Sequence, residues 1–276
     1  MADKYAVIGN PIAHSKSPLI HAAFAKQLEH TDTPQNISYV PIFAPLDGFE
    51  TKVCDLIKQG YRGANVTVPF KLEAFALCDA LSDRAKVAGA VNTLIFEDGK
   101  IKGENTDGAG LVSDITHNLG IALQGLQVLV LGSGGAAQGV LLPLLDANPE
   151  GITIANRTLE KAHFMVQKIA VQNKVCNMVV CTYENLHAEF DVIINATSAG
   201  LTDTTLPIPN TIFAKNCLAY DMMYGRETPF MAQARANGAL VADGLGMLVE
   251  QAAESFYLWR GVRPETEPVI AMLSNI

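Results

Sequence analysis

Residues 126–139 of the chain are LQVLVLGSGGAAQG, which combine a short apolar strand, a glycine turn and the start of a helix. The run Gln127–Leu131 is rich in valine and leucine, as is typical of a parallel strand covered on both faces. Gly132, Gly134 and Ala137 then form the pattern G-x-G-x-x-A. In this pattern the first glycine allows a tight turn, the second leaves room for a pyrophosphate, and the small third residue lets the helix pack against the strand. The stretch therefore predicts a dinucleotide site, with phosphates bound by N–H groups at the helix start.

The composition excludes several classes of protein. The 276 residues carry a formal net charge of −8 at pH 7, and 49% of them are hydrophobic. Such an acidic chain lacks the basic face that a nucleic-acid partner requires, so no nucleic acid is expected. The uncharged stretch 129–145 contains a glycine cluster, Gln138 and Pro143, and we therefore expect a strand–turn–helix there and no membrane span.

The cysteines favour a cytoplasmic location. They are odd in number and show no C-x-x-C spacing, and the N-terminal residues MADKYAVIGN lack the apolar region of a secretory signal. We expect reduced thiols in the core of a cytosolic protein. The cysteines are Cys54, Cys78, Cys176, Cys181 and Cys217.

The first polar segment is GNPIAHSKSP, residues 9–18. Pro18 stands at the first position of a predicted helix, with Ser17 as its N-cap. Two interpretations of this segment remain open at this point. It is either a capped helix alone, or a site where the hydroxyls of Ser15 and Ser17 and free N–H groups bind a small carboxylate.

A second polar segment is GANVTVPFK, residues 63–71. Asn65 and Thr67 alternate with two valines, so their side chains share one side of a predicted strand that Pro69 ends. Lys71 follows at the start of the next helix, where a cation gains nothing from the helix dipole. Such a lysine is usually a solvated surface residue, but the polar residues at the strand end also allow a functional role.

A third polar segment is GENTDGAG, residues 103–110, which follows a hairpin predicted from Asp98-Gly99. The local pattern favours Asp107 as the cap of a helix that runs to Leu119. Asn105 and Thr106 would then be ordinary loop residues.

The strand Gly151–Ala155 ends in Asn156, Arg157 and Thr158, with Lys161 one helical turn later. A site that prefers NAD places a carboxylate at this strand end, and none is present. Arginine can bind a 2′-phosphate bidentately, so the segment favours NADP. The alternative is a capped helix with a surface arginine. Further alternation of strands and helices predicts a parallel, doubly wound sheet.

Other catalytic patterns are missing from the sequence. It has no G-x-x-x-x-G-K-[ST], no H-E-x-x-H, no G-x-S-x-G and no tyrosine with a lysine four residues later. His14 and His21 have no partner at ligand spacing, so no metal site is expected. A nicotinamide-type site, one lysine, one aspartate and many neutral polar residues remain, which suits a polyhydroxylated substrate with one carboxylate.

Motifs along nearly the whole chain resemble the shikimate dehydrogenase family. They are GNPIAHSKSP, NVTVPFK, AVNT, NTDG, GSGGAAQG, NRT, NATSAG and DGLGMLVEQAA, in that order. The resemblance implies an α/β fold of two domains with an active-site cleft between them. The α/β substrate domain would span 1–105 and be completed by helices in 245–276, and a doubly wound Rossmann NADP-binding domain would span 106–244.

The resemblance also implies an activity and residue roles. The enzyme would reversibly reduce 3-dehydroshikimate to shikimate with NADPH, in chorismate and aromatic amino-acid biosynthesis, as a cytoplasmic monomer or homodimer. The implied catalytic pair is Lys71 and Asp107. The implied substrate-binding residues are Ser15 and Ser17 for the carboxylate, Asn65, Thr67, Asn92 and Gln251 for the ring hydroxyls, and Tyr224. The implied cofactor-binding residues are Gly132, Ser133, Gly134, Gly135, Ala136, Asn156, Arg157, Thr158, Lys161, Thr197, Met222, Gly244 and Met247.

One segment departs from the family pattern. The family often has Tyr-x-Pro-x-x-Thr-Pro where this chain has MYGRETP, residues 223–229, so Gly225 and Arg226 replace the middle. Two alternatives to the main hypothesis stay open. One is a quinate/shikimate dehydrogenase that also accepts NAD, against which Arg157 argues. The other is a non-catalytic relative that binds the same ligands as a sensor, against which the complete catalytic pair argues.

Overall fold

The structure is a computed structural model that describes residues 2–29, 35–170, 177–199 and 204–275. The chain forms two compact units: Met1–Gly110 together with Leu248–Ile276, called the first unit, and Leu111–Met247, called the second unit. Cys176 and Gly200, the last residue of the NATSAG motif, lie outside the described residues. Within the described ranges, every helix is too short or too polar to span a membrane.

The first unit contains one six-stranded mixed sheet. Its strands are β1 (Asp3–Gly9), β2 (Ile37–Phe43), β3 (Tyr61–Val66), β4 (Ala80–Leu81), β5 (Thr93–Glu97) and β6 (Lys100–Glu104). They lie in the order β2-β1-β3-β5-β6-β4. β1 pairs parallel with β2 and β3, whereas β5 pairs antiparallel with β3 and β6, and β4 is parallel to β6. The antiparallel pair follows from the predicted hairpin, because Asp98 and Gly99 both adopt positive φ, 53° and 71°.

Along the chain, the helices of the first unit lie between or after these strands. They are α1 (Ser17–Gln27), α2 (Phe49–Lys58), α3 (Lys71–Leu77), α4 (Asp83–Ala88), the start of α5 (Asp107–Ser113), most of α9 (Leu245–Arg260) and α10 (Glu267–Ser274). The prediction that Ser17 caps α1 is wrong. The cap is Lys16, whose backbone is already helical, and Ser17 is the first helical residue, with its N–H donating to Ser15 Oγ at 3.3 Å.

The second unit contains a six-stranded sheet in which every pair is parallel. Its strands are β7 (Gln127–Leu131), β8 (Gly151–Ala155), β9 (Met178–Cys181), β10 (Phe190–Asn195), β11 (Phe213–Asp221) and β12 (Leu240–Ala242). Its helical segments are a π-helical turn (Asp114–Asn118), α6 (Gly135–Asp146), α7 (Leu159–Ala170), α8 (Pro229–Ala236) and short 3₁₀ turns at Tyr183–Asn185 and Asn210–Ile212.

The strand order of the second unit is β12-β11-β10-β7-β8-β9. This is the doubly wound arrangement of a Rossmann domain, and its order reverses between β7 and β10. The predicted fold class is confirmed. β7 is the central strand, and its residues from Val128 to Leu131 are fully buried, as predicted for a strand covered on both faces.

An aromatic cluster in the first unit encloses His21. The His21 ring stacks on Tyr39 at a centroid distance of 4.1 Å and lies near Phe24, Phe256 and Trp259. It is fully buried, and neither ring nitrogen has a hydrogen-bond partner in the described part of the chain. Because burial disfavours the charged ring, the pKa of His21 falls from 6.5 to about 3, and this effect outweighs the nearby Asn65 side chain, which favours the charged ring.

This burial predicts a loss of stability in mild acid. The unfolded chain binds a proton at His21 below about pH 6.5, while the folded chain resists protonation until about pH 3, so stability is complete above pH 6.5 and falls as the pH drops toward 3. Between pH 7 and pH 5, we expect the free energy of unfolding of wild type to fall by about 2 kcal/mol more than that of His21→Phe. Urea unfolding followed through the fluorescence of the single tryptophan, Trp259, measures this unit directly.

The matched control is His163→Gln, because His163 is an exposed histidine of the second unit. It should keep the pH dependence of wild type. Equal losses in wild type and His21→Phe would contradict the prediction.

Candidate active site

The glycine turn after β7 has the backbone conformation that its sequence predicts. Gly132 has a φ of 103°, which side chains with a Cβ rarely adopt. A Cβ added there would also lie 3.1 Å from Thr197 Cγ2 at the end of β10. The turn therefore requires glycine for both its conformation and its close packing.

The first turn of α6 offers uncovered backbone to a ligand. Gly134 is the N-cap and has no side chain to cap the helix, and added Cβ atoms on Gly134 or Gly135 would meet nothing within 4 Å. Gly134, Gly135 and Ala136 are exposed, while Ser133 is buried. Free N–H groups at the positive end of a helix are suited to bind a pyrophosphate, so these residues fit a dinucleotide.

The segment after β8 presents two exposed cations. The Asn156 N–H donates to Cys181 O at 3.1 Å, and its side-chain amide donates to Thr158 O at 2.7 Å, which holds the turn. Arg157 and Lys161 are exposed. Among the described residues, none forms a hydrogen bond or ion pair with Arg157. Its guanidinium is therefore available for a phosphate.

The remaining predicted cofactor residues stand at the carboxyl ends of three neighbouring strands and at the start of α9. Thr197 follows β10, and Met222 follows β11 with its N–H donating to Asn195 O at 3.1 Å. A Cβ added to Gly244, after β12, would lie 2.3 Å from Met222 O, so only glycine fits there. The Met247 N–H donates to the buried hydroxyl of Tyr220 at 3.2 Å.

Lys71 and Asp107 form an ion pair in the first unit. Lys71 Nζ lies 2.5 Å from Asp107 Oδ2, and the two side chains are 32% and 18% exposed. Lys71 is the first residue of α3, as predicted. The prediction that Asp107 caps a helix is wrong, because its carboxylate binds Lys71 and Asn92 instead, and Asn105 Oδ1 accepts the Asp107 N–H at 3.1 Å.

Asn92 connects this pair to α9. Its amide nitrogen donates to Asp107 Oδ1 at 2.8 Å and to Thr106 Oγ1 at 3.0 Å, with Gln251 Oε1 at 3.4 Å. Its oxygen accepts the Thr106 N–H at 2.9 Å. Because both ends of the amide are bound, its orientation is determined.

Asn65 is the centre of a neighbouring set of hydrogen bonds. Its oxygen accepts from the Tyr39 hydroxyl at 2.7 Å, and its nitrogen donates to Ser255 Oγ at 3.0 Å and Thr93 Oγ1 at 3.1 Å. The Ser255 hydroxyl in turn donates to Gln251 O at 3.0 Å. The structure thus brings together five predicted residues: Asn65, Lys71, Asn92, Asp107 and Gln251.

The other predicted substrate residues are less closely tied to this network. The Ser17 N–H donates to Ser15 Oγ at 3.3 Å, and the Ser17 side chain reaches the network through a hydrogen bond with the Tyr39 hydroxyl. Thr67 packs its methyl group against Gly9, and Tyr224 belongs to the second unit. Tyr224 is 37% exposed, and partial burial raises the pKa of its hydroxyl. Their assignments stay predictions.

Several polar residues of the network have no role in the sequence-based interpretation, among them Thr93, Thr106, Ser255 and Tyr39. Thr106 has the local pattern of a loop residue, although it adjoins Asp107. Ser255 lies four residues after Gln251, so the helical period places both on one face of α9, and this spacing is a usable signal. Tyr39 gives no signal, because its role comes only from the pairing of distant segments.

Comparison with known proteins identifies the family. Three family models match: the shikimate dehydrogenase substrate binding domain at residues 7–94, shikimate / quinate 5-dehydrogenase at 114–204, and the shikimate 5′-dehydrogenase C-terminal domain at 244–271. A shikimate dehydrogenase (NADP(+)) from Methylobacillus flagellatus is 58% identical over 273 residues, which cover 98% of each chain.

Solved structures agree with this match. An Ael1 enzyme from Pseudomonas putida is 47% identical with a TM-score of 0.93, covering 99% of this chain and 98% of that one. A Thermus thermophilus shikimate 5-dehydrogenase in complex with NADP(H) and shikimate is 32% identical with a TM-score of 0.83, covering 98% and 97%. From these similarities over nearly its full length, the chain belongs to the shikimate dehydrogenase family.

Proposed function

We propose that this chain catalyses the reversible, NADPH-dependent reduction of 3-dehydroshikimate to shikimate, a step of chorismate and aromatic amino-acid biosynthesis. The observation that carries the proposal is the Lys71–Asp107 ion pair, held by the neutral polar network around Asn92. The substrate domain stays proposed as 1–105 with 245–276 and the NADP-binding domain as 106–244, whereas the two compact units divide slightly later, after Gly110 and after Met247, so that Asp107 lies in the first unit. The relative from M. flagellatus is named for NADP(+), and the Thermus structure holds NADP(H) and shikimate.

Neutral hydrogen-bonding groups suit the substrate. Asn65, Asn92 and Gln251 lie in one network and, with Thr67, bind the ring hydroxyls. Ser15 and Ser17 near the start of α1 bind the carboxylate, which their hydroxyls and the helix N–H groups favour. Tyr224 completes the set of substrate-binding residues.

The cofactor residues have distinct tasks. Gly132 to Ala136 bind the pyrophosphate at the open start of α6, and Asn156, Arg157, Thr158 and Lys161 bind the 2′-phosphate. Thr197, Met222, Gly244 and Met247 line the nicotinamide. When bound, NADPH supplies the hydride that the 3-keto carbon receives.

Lys71 supplies the proton. As the carbonyl carbon is reduced, negative charge develops on its oxygen, and a protonated amine at Lys71 Nζ stabilises that charge and donates the proton that makes the alcohol. Asp107 Oδ2 orients the amine, and Asn92 orients Asp107 through its other oxygen. In the reverse direction, the Lys71 amine accepts the proton from the shikimate hydroxyl.

The proposal extends to location and assembly. The protein works in the cytoplasm as a monomer or homodimer. Its described cysteines, Cys54, Cys78, Cys181 and Cys217, are all free thiols, which suits a reducing compartment. Light scattering of the purified protein tests the assembly, and a tetramer would contradict it.

The direct test of the activity is an absorbance assay at the NADPH band with shikimate and NADP. Appearance of NADPH that depends on shikimate supports the proposal. A purified, folded protein that binds both ligands without turnover would instead favour a non-catalytic sensor.

Replacing Lys71 should remove proton transfer while leaving substrate binding largely intact. We expect Lys71→Ala to lower kcat by about 10²-fold or more with little change in KM, because general acid–base catalysis is lost. Steady-state kinetics in both directions measure this. The matched control is Lys86→Ala, since Lys86 is an exposed lysine of the same unit paired with Asp83 at 3.0 Å. A near-normal kcat in Lys71→Ala would refute the assignment.

Removing the Arg157 side chain should erase the preference for NADPH over NADH. We expect Arg157→Ala to lower kcat/KM for NADPH by roughly 10- to 100-fold, because a charge-assisted pair of hydrogen bonds is lost. The value for NADH should stay nearly unchanged. Arg235→Ala is the control, because Arg235 is an exposed arginine of the same unit that pairs with Glu227. Equal wild-type values for the two cofactors would favour an enzyme that also uses NAD.

A further inference from the structure

A fully buried carboxylate stands at the end of β11 in the second unit. Asp221 has no exposed surface, and every partner it has among the described residues is a neutral donor. Its Oδ2 accepts from Asn195 Nδ2 at 2.9 Å and from the Thr228 hydroxyl at 2.6 Å, and its Oδ1 accepts the Met223 N–H at 2.9 Å. Burying a charge without a cation is costly unless every lone pair is well satisfied.

Asn195 is the last residue of β10, and the orientation of its side-chain amide is determined by the hydrogen bonds of its oxygen. Its oxygen accepts both the Thr197 N–H at 3.1 Å and the Thr197 hydroxyl at 2.7 Å. Its amide nitrogen must therefore point away from Thr197, and it donates to Asp221. A group that can accept a hydrogen bond is required opposite it, and a carboxylate accepts on both of its oxygens.

These two side chains connect the three strand-end segments proposed to line the nicotinamide. Thr197 binds Asn195 directly. Met222 is joined by its N–H to Asn195 O at 3.1 Å, and it directly follows Asp221 in the chain. Gly244 is joined by its N–H to Met223 O at 2.8 Å, and the Met223 N–H is held by Asp221.

We infer that Asp221 and Asn195 are positioning residues that set the nicotinamide-side segments of Thr197, Met222 and Gly244. The inference rests on the proposed function, because that function assigns these segments to the cofactor. Neither side chain needs to touch the nicotinamide. Both act by keeping three backbone segments at the spacing that hydride transfer requires, where misplacement by about 1 Å can cost about 10²-fold in rate.

Exchanging the two residues tests this pairing. In Asp221→Asn, one oxygen of the carboxylate becomes an NH₂ group, which faces a donor in either orientation of the amide. In one orientation the NH₂ faces Asn195 Nδ2 and the Thr228 hydroxyl, and in the other it faces the Met223 N–H. In Asn195→Asp, two carboxylates face each other across the 2.9 Å contact. The double exchange Asn195→Asp/Asp221→Asn restores one donor and one acceptor. The carboxylate introduced at position 195 still accepts from Thr197, and the Thr228 hydroxyl is able to accept from the new amide.

We expect each single variant to lower kcat/KM for NADPH by about tenfold or more, with the KM for 3-dehydroshikimate within about twofold of wild type. The double exchange should recover to within about threefold of wild type. Fluorescence titration with NADPH alone should show the same order of affinities without any turnover. The matched control is Asp191→Asn, because Asp191 lies near the opposite end of β10 and accepts the Gln127 N–H at 2.9 Å.

The outcomes separate the two proposals. If the single variants only reduce the fraction of active enzyme and leave the KM for both substrates unchanged, the two residues have a merely structural role and the inference is overturned. Single variants with normal NADPH affinity would overturn it as well. If a single variant does not fold, the double exchange decides alone: near-normal NADPH affinity supports the pairing and weak affinity refutes it. Wild-type protein that binds NADPH but does not reduce 3-dehydroshikimate would refute the proposed function, while the titrations would still test the positioning.

Discussion

A buried polar group is costly to leave without a hydrogen bond, and this constraint shapes the strand ends of both units, although the His21 ring is an exception. A buried amide or carboxylate without a partner costs about 1–3 kcal/mol or more, so each such group dictates what its neighbours are. In the first unit, the amide of Asn92 is bound at both ends, to Thr106 on one side and to Asp107 on the other. In the second unit, Asn195 is bound to Thr197 and Asp221 in the same way.

The consequence is that each unit presents a hydrogen-bonded polar set near the ends of its strands. An asparagine is well suited to this task because it carries a donor and an acceptor in one plane, and satisfying one determines the direction of the other. The positions of the side chains proposed to bind ligands are then determined by their buried neighbours. This explains why Asp107, which the sequence pattern favours as a helix cap, has its carboxylate turned to Lys71 and Asn92.

Local features of the sequence were enough to predict much of the fold. β7 and the glycine turn depend on a short apolar run and on one residue with positive φ, and the hairpin at Asp98-Gly99 depends on two adjacent residues. The polar networks were harder, because they join segments far apart in the chain. Tyr39 reaches Asn65 from another strand, and Ser255 reaches Asn65 across 190 positions. No local pattern encodes such pairs, so the resemblance to a family supplied the site residues that the local patterns did not.

The two aspartates at the centre of these networks differ in what their surroundings allow. Asp107 is paired with a cation and is 18% exposed, and Lys71 is 32% exposed, so both side chains remain accessible to water and to a small molecule. Asp221 is fully buried, and its hydrogen-bond partners among the described residues are the neutral donors of Asn195, Thr228 and Met223. The same side chain therefore suits the proposed proton chemistry in one environment and the proposed backbone positioning in the other, and burial together with the charge of the partner makes the difference.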